Sequence, residues 1–412
     1  MLDFVIIGGG ITGITLTKQL RLDGYNVLCL EAKKNAGGLC RTENIDGHIL
    51  DIGGGHFFHT KYKEVFDFVF NYIPESEFNF IPRVSKIRIG ENTIDYPLES
   101  NLWQLPMDKQ ILYLISVIRN GESLGMPEPK NYEEWIRWKL GNLICDNYML
   151  PYNTKLWGVK PSEMDIDWLY KIPKVNVTEI LKYSLERKQD KSKFPAHISF
   201  YYPKKGGFQR IFDALFQDEK NYVKLDTKVE KLEKEKDGYW LINNEFKTKY
   251  VINTTPWNDL FEALGKPKKL ENDFAKIKYN RIVVSLYEKE YSHNWHWRYV
   301  PDIKRNYHRE FYISNFAKSS KANGMYVETN LKRFDGTEEV LDAVNLYNYT
   351  TDAAYPIPII GHSEAIKNIL EYYKPFGLFG VGRWGQHEYQ NADVSMFNAL
   401  MFVEEKKWNY QV

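Results

Sequence analysis

The chain has few cysteines for its length. Cys29, Cys40 and Cys145 are the only ones in 412 residues, an odd number without the paired spacing of a zinc site or a disulfide framework. Cys29 sits inside an apolar run, so the three read as reduced thiols of a cytoplasmic protein. No apolar stretch reaches the length of a membrane span, and Met1-Leu2-Asp3 passes at once into a strand-like run that leaves no room for a secretion signal. An excess of one charge sign is missing too: 55 Lys and Arg face 54 Asp and Glu, for a formal net charge of +1. With no basic stripe, nucleic acid and anionic membranes are poor partners, and small molecules are the expected ones. No repeat, low-complexity tract or long polar linker divides the chain. Its length and 43% hydrophobic content suffice for more than one core.

Glycine is placed with purpose. The apolar run Phe4-Val5-Ile6-Ile7 enters Gly8-Gly9-Gly10-Ile11-Thr12-Gly13 and then a helical pattern. Glycines at 8, 10 and 13 permit a tight turn, close approach of backbone to a pyrophosphate and close helix-strand contact, while the helix N-terminus offers N–H donors to the anion. A second strand, Tyr25-Asn26-Val27-Leu28-Cys29-Leu30, ends on Glu31, where an acid receives ribose hydroxyls. Two further clusters follow, Ala36-Gly37-Gly38-Leu39-Cys40-Arg41-Thr42 and Asp51-Ile52-Gly53-Gly54-Gly55-His56. This order resembles the flavin-binding amine oxidase and sugar-mutase superfamily, in which a flat isoalloxazine lies against backbone. FAD is therefore favoured over NAD.

The periodicities predict an α/β chain: a Rossmann-like FAD-binding domain, an inserted helical domain and an antiparallel β-sheet domain. The FAD domain is expected from residues 1–85, 203–256 and 350–412, the helical substrate-binding lid from 101–190, and the sheet domain from 86–100 with 257–345. Val65, Phe66, Phe68, Val69 and Tyr72 recur at helical spacing, whereas Tyr222–Leu225, Val229–Leu232, Tyr239–Ile242 and Tyr250–Pro256 alternate like short strands.

Nearly the full length resembles the flavin-dependent UDP-galactopyranose mutases. The likeness rests on Gly54-Gly55-His56-Phe57-Phe58-His59-Thr60, on Tyr96-Pro97-Leu98 and on Pro151-Tyr152-Asn153-Thr154-Lys155-Leu156-Trp157-Gly158-Val159. Tyr299 with Arg309 and Ser314-Asn315 adds to it, as do Ala354-Tyr355-Pro356-Ile357-Pro358 and Gly382-Arg383-Trp384-Gly385 with Tyr389, Asn391 and Asp393. The resemblance implies that Gly8, Gly10, Gly13, Glu31, Gly38, Leu39, Gly55, His56, Val229 and Arg383 hold the FAD. It implies that Tyr96, Tyr152, Asn153, Trp157, Tyr299, Arg309, Tyr355, Tyr389 and Asn391 hold the substrate, with His56 and Arg309 catalytic; His59 is a weaker candidate.

The residue chemistry agrees with a nucleotide sugar. Tyr152 and Trp157 would wall the base, Arg309 offers a fork of donors to phosphate oxygens, and Tyr299, Tyr355 and Tyr389 add phenolic donors without charge. The bland alternatives are core aromatics, an exposed strand arginine and a satisfied turn histidine.

The implied reaction interconverts pyranose and furanose forms of a UDP-linked sugar, galactose or a close relative, through an adduct between N5 of reduced FAD and the sugar, and it feeds cell-surface glycan synthesis. NAD(P)H or a flavin reductase would supply electrons, no metal is needed, and a homo-oligomer is possible. Two departures stand out. Where the family carries a second arginine on a flap, this chain has Ile172, so Lys171 or Lys174 would stand in; and a family glutamine is replaced by Glu99. The competing reading is an FAD-dependent amine oxidase or desaturase, which needs an apolar tunnel and no diphosphate clamp. A non-catalytic flavoprotein that binds nucleotide sugars is a further alternative.

Overall fold

A strand as uniformly apolar as Phe4-Val5-Ile6-Ile7 is shielded on both faces only inside a parallel sheet. The computed structural model, which describes residues 1–169, 175–188, 198–336, 340 and 342–405, puts β1 (Leu2–Ile7) in that position. It lies between β2 (Val27–Leu30) and Phe246–Asn253, parallel to both. Val223–Lys224 extends the sheet beyond β2, Leu378–Gly380 joins the end of Phe246–Asn253, and the antiparallel pair Trp240–Ile242 and Leu232–Lys234 closes the opposite side. This sheet thus gathers strands from residues 2–30, 223–253 and 378–380.

Helix α1 (Ile11–Leu22) connects β1 to β2 and packs against the helix Ala392–Glu405. Covered on both sides, it buries Ile14, Leu16 and Leu20 together with one cation, Lys18. The Lys18 ammonium sits 3.0 Å from the carboxylate of Glu219, which is itself fully buried, and Arg21 reaches the same carboxylate at 2.7 Å.

A second seven-stranded sheet runs Val344–Thr350, Ile282–Glu288, Gly324–Asn330, Arg309–Tyr312, Trp297–Tyr299, Ser85–Ile89, Asn92–Asp95. Its pairings are antiparallel except between Trp297–Tyr299 and Ser85–Ile89. Helices Met107–Ile118, Tyr132–Leu140, Leu150–Trp157 and Val177–Glu186 occupy the stretch between. Asn131 caps the second of them by accepting the Glu134 N–H, and Asn176 with Glu179 forms a reciprocal capping box on the last.

Two expected strands are shorter than the pattern suggests. Tyr25 and Asn26 precede β2 because the Asn26 N–H donates to the Asp3 carboxylate rather than to a ladder. Val229–Lys231 is irregular because the Glu230 and Lys231 N–H groups both donate to the Asn243 side chain, and the strand begins only at Leu232. The region 257–345 also holds two short helices, Trp257–Phe261 and Glu271–Lys276. All three cysteines are free and buried. Among the described residues no helix is long and apolar enough to cross a membrane.

Removing one partner of a buried ion pair leaves the other charge unsolvated, which costs about 3–5 kcal/mol. Glu219→Ala leaves Lys18 only the exposed Asp218 carboxylate at 3.5 Å, and it is expected to lower unfolding stability by up to that amount in denaturant titration. A loss below about 1 kcal/mol would show that the pair is not what secures α1.

Candidate active site

Gly8, with φ of 104°, turns β1 into α1, and Gly8, Gly10, Glu31, Gly38, Leu39, His56, Val229 and Arg383 all line one cavity of about 630 Å³, a size common for ligand sites. Helix α1 enters it with no capping side chain and no acid in its first turn, and Gly10, Ile11 and Thr12 form part of the wall. A Cβ built on Gly10 would meet no atom nearer than the Gly38 Cα at 3.9 Å, so two glycines keep a strip of the cavity open beside the helix terminus. That is the space and the donor set a pyrophosphate requires. Glu31 ends β2 with its carboxylate fixed by the N–H groups of Gly9 (2.7 Å) and Lys33 (2.9 Å), at the point where dinucleotide folds receive a ribose. A dinucleotide carrying a flavin fits these residues.

Two of the expected cofactor residues, Gly13 and Gly55, do not line the cavity and serve close packing, which for Gly13 is the helix-strand contact expected of it. A Cβ on Gly13 would lie 1.9 Å from the Gly8 carbonyl oxygen, so Gly13 lets α1 press on the turn. A Cβ on Gly55 would lie 1.9 Å from the Phe311 ring, and the Gly55 N–H donates to Glu328 at 2.8 Å.

His56 lines the same cavity. Burial, followed by the Arg383 charge, pushes its pKa down to about 4, so the ring is neutral at neutral pH. Its Nδ1 lies 2.9 Å from the Gly54 carbonyl; in a neutral ring Nδ1 must then carry the proton, which leaves Nε2 an acceptor. His59 points its Nδ1 to the Ser199 carbonyl at 3.0 Å.

Arg383 forms the wall between this cavity and an aromatic cluster. Its guanidinium donates to the Gln390 carbonyl from Nε (2.8 Å) and Nη2 (2.5 Å) and to the Ala354 carbonyl from Nη1 (3.0 Å), and it lies 5.8 Å from the rings of both Tyr355 and Tyr389. No carboxylate pairs with it among the described residues, and burial lowers its pKa.

Beyond that wall Arg309 stands opposite Tyr299 in strand register and donates to the Tyr355 hydroxyl at 3.1 Å. The Tyr299 ring lies 5.2 Å from Tyr96 and 5.4 Å from Tyr152, and Tyr355 lies edge-on to Tyr389 at 5.3 Å. Burial raises the pKa of Tyr152, Tyr355 and Tyr389, so these phenols keep their protons as donors.

The aromatic wall expected from Tyr152 and Trp157 takes a different form. Tyr152 joins the cluster, but Trp157 is fully buried and packs edge-on behind Tyr355 and Tyr389. Its Nε1 donates to Asn153, whose amide in turn donates to the Tyr132 hydroxyl (2.7 Å) and the Met149 carbonyl (2.8 Å). Trp157 and Asn153 therefore brace the phenols from one layer back. Asn391 is half-buried, its carbonyl accepting the Ser395 N–H ahead of the last helix. Lys171, Ile172 and Lys174 lie outside the described residues.

Glu328 escaped the sequence reading. It is fully buried; one oxygen accepts the Gly55 N–H, the other accepts Arg309 Nε (2.9 Å) and Nη2 (2.6 Å), and His308 Nε2 lies 3.4 Å away. Burial alone would raise its pKa, but Arg309 and His308 outweigh it and hold the carboxyl at about 2. An acid directly after the apolar run Met325-Tyr326-Val327, in a strand that proves wholly buried, was the available signal. Glu99 is the opposite case. It is buried with no cation beside it among the described residues, and its pKa rises to about 7, so the negative charge it could bring in place of a glutamine is muted at neutral pH.

The comparisons with known proteins bear on the whole of this arrangement. The family model described as NAD(P)-binding Rossmann-like domain matches residues 6–72. The probable UDP-galactopyranose mutase of Klebsiella pneumoniae is 23% identical, over 98% of this chain and 94% of that protein. The chain is therefore similar to a UDP-galactopyranose mutase along nearly its whole length. The dTDP-fucopyranose mutase of Escherichia coli is 24% identical over 41% of this chain and 45% of that enzyme. The crystal structure of a reduced UDP-galactopyranose mutase superposes with a TM-score of 0.86 at 20% identity, over 98% of this chain and 93% of that one, so the fold is shared.

Two outcomes are expected. Gly10→Val fills the strip beside α1, and the purified variant should come out colourless but folded by circular dichroism; retention of the yellow colour would place the pyrophosphate elsewhere. For Glu99, a folded-state pKa above its ordinary 4.5 means a penalty that is absent below pH 4.5, grows as pH rises to about 7 and is constant above. Glu99→Gln should therefore gain stability over the natural protein between pH 5 and pH 8, by up to about 3 kcal/mol. An equal difference at both pH values would refute the burial argument.

Proposed function

We propose that this protein is a flavin-dependent mutase that interconverts the pyranose and furanose forms of a UDP-linked sugar, galactose or a close relative. The observation that carries the reading is the adjacency of two sites across one arginine: a dinucleotide cavity on one side of Arg383, and on the other a cluster of phenols around Arg309. The likeness to mutases along nearly the whole chain supports it. FAD, when bound in its reduced form, supplies the nucleophile toward the anomeric carbon.

The chain's own residues do the rest. Arg309, oriented by Glu328 and Tyr355, presents its remaining edge to the diphosphate, with Tyr299 opposite it on the neighbouring strand. Tyr355 and Tyr389 stay protonated and donate to sugar or phosphate oxygens. Tyr96 and Tyr152 embrace the base side of the nucleotide around Tyr299. Neutral His56 holds an acceptor at Nε2 against the cofactor side, while Arg383 keeps a positive charge between the two sites. Retaining UDP after the glycosidic bond breaks turns a bimolecular return into an intramolecular one, which contributes several kcal/mol. No protein acid is required if the leaving diphosphate is held as an anion by arginine and phenols.

The test is anaerobic incubation of dithionite-reduced protein with UDP-galactopyranose, its furanose, and dTDP- and GDP-linked pyranoses, followed by chromatography. Isomer should form only with reduced protein, and Arg309→Ala should lose at least about a hundredfold in kcat/KM while remaining yellow. Oxygen consumption with an amine or a lipid, and no isomer from any sugar nucleotide, would favour the oxidase instead.

A further inference from the structure

The reading as a UDP-sugar mutase leaves a charge problem that the described structure itself answers. A diphosphate brings two negative charges, yet the cations already assigned are occupied. Arg309 is neutralised by Glu328, which takes two of its donors. Arg383 directs its donors to backbone carbonyls on the cofactor side. Lys155 is buried and bonds the carbonyls of Asp302, Arg305 and Tyr307. Among the described residues, one further arginine reaches the tyrosine cluster.

Arg83 lies on the segment leading into Ser85–Ile89, the strand that pairs in parallel with Trp297–Tyr299. That pairing carries it to the edge of the tyrosine cluster. Its Nη2 donates to the Tyr299 hydroxyl at 3.2 Å and its Nε to the Ser85 hydroxyl at 2.6 Å. The guanidinium carbon sits 4.7 Å from the ring centres of both Tyr96 and Trp297, the arrangement that holds a planar cation without neutralising it. Among the described residues no carboxylate pairs with Arg83, and it is only partly buried. Tyr299 thus has Arg309 on one side, across the strands, and Arg83 on the other, bonded to its hydroxyl.

We propose that Arg83 is the second cation of the substrate site, a phosphate-binding residue that closes on the diphosphate from the side of Tyr299 opposite Arg309. This rests on the nucleotide-sugar reading and deepens it. It assigns to the sheet domain a role that the resemblance gives to an arginine on the flap, where this chain has Ile172. Contact with two rings and hydrogen bonds to three hydroxyls fix the guanidinium, so the donors not used by Tyr299, Ser85 and Tyr96 point in a defined direction without further ordering of the side chain. A lysine could carry the charge there but not the stack or the fork.

The experiment is calorimetric titration of the flavin-loaded protein with UDP, UMP and uridine, for the natural chain and for Arg83→Ala, Arg83→Gln and Arg83→Lys. Flavin absorbance reports integrity in each, and Arg83→Gln keeps most of the side-chain volume should Arg83→Ala fail to fold. UDP affinity is expected to fall at least tenfold in Arg83→Gln and Arg83→Ala, less in Arg83→Lys, with uridine binding unchanged and UMP between the two. Unchanged UDP affinity in the folded variants overturns the proposal. So does an equal fall for UDP and uridine, which would make Arg83 a support for the base wall. A natural protein that binds none of the three nucleotides defeats the mutase reading itself, a result separable from either of these.

Discussion

A carboxylate with no exposure to water survives in a sheet only if its charge and lone pairs are met by fixed partners, and Glu328 is the residue on which that condition bears. Its two oxygens reach in different directions: one takes the Gly55 N–H from the turn beside the dinucleotide cavity, the other takes the Arg309 guanidinium beneath the phenols. A single buried anion therefore anchors both halves of the site. The glycine at 55 is a consequence of it, since the turn can bring its N–H to Glu328 only by passing within van der Waals distance of Phe311, where no side chain fits.

The same anchor explains the layering of the aromatics. Arg309 is held by Glu328 and extends to Tyr355; Tyr355 and Tyr389 meet edge-on; Trp157 backs both, tied to Asn153 and through it to Tyr132. Phenols so braced keep defined directions for their hydroxyls, and burial keeps those hydroxyls protonated. Positioning of this kind, rather than a dedicated proton donor, is what a reaction with a good leaving group requires.

Legibility in the sequence followed the range of the interactions. The turn from β1 into α1, Glu31 and the positions of Gly8, Gly10 and Gly38 could be read because each depends on its neighbours in the chain. Gly13 was legible as the close helix-strand contact it makes with Gly8, five residues back, whereas Gly55 was recognisable as a necessary glycine but what it faces is decided by the distant Phe311. Trp157 and Asn153 lie in the right helix, yet their face was invisible because a helix of eight residues buried on several sides shows no clear stripe. Glu328 and Arg83 could not be found by motif at all. The first is defined by partners 273 and 19 residues away, the second by a parallel strand pairing that no local pattern encodes.

Under the mutase reading, the arginines differ in what they can do for the reaction. A cation already neutralised by a buried carboxylate contributes direction more than field, so Arg309 orients the diphosphate without greatly changing its charge environment. Arg83 and Arg383 have no such counterion among the described residues, and they stand on opposite sides of the tyrosine cluster. When the glycosidic bond breaks, the departing diphosphate gains a negative charge. Only interactions that strengthen as that charge develops accelerate the step, and an uncompensated cation is the group whose interaction grows most. Arg83 would answer the developing charge on the diphosphate, and Arg383 would hold a positive potential on the cofactor side at every stage. Glu328, by neutralising Arg309 while fixing its direction, leaves the charge response to the other two arginines, so the geometry of the site and its electrostatics depend on the same buried carboxylate.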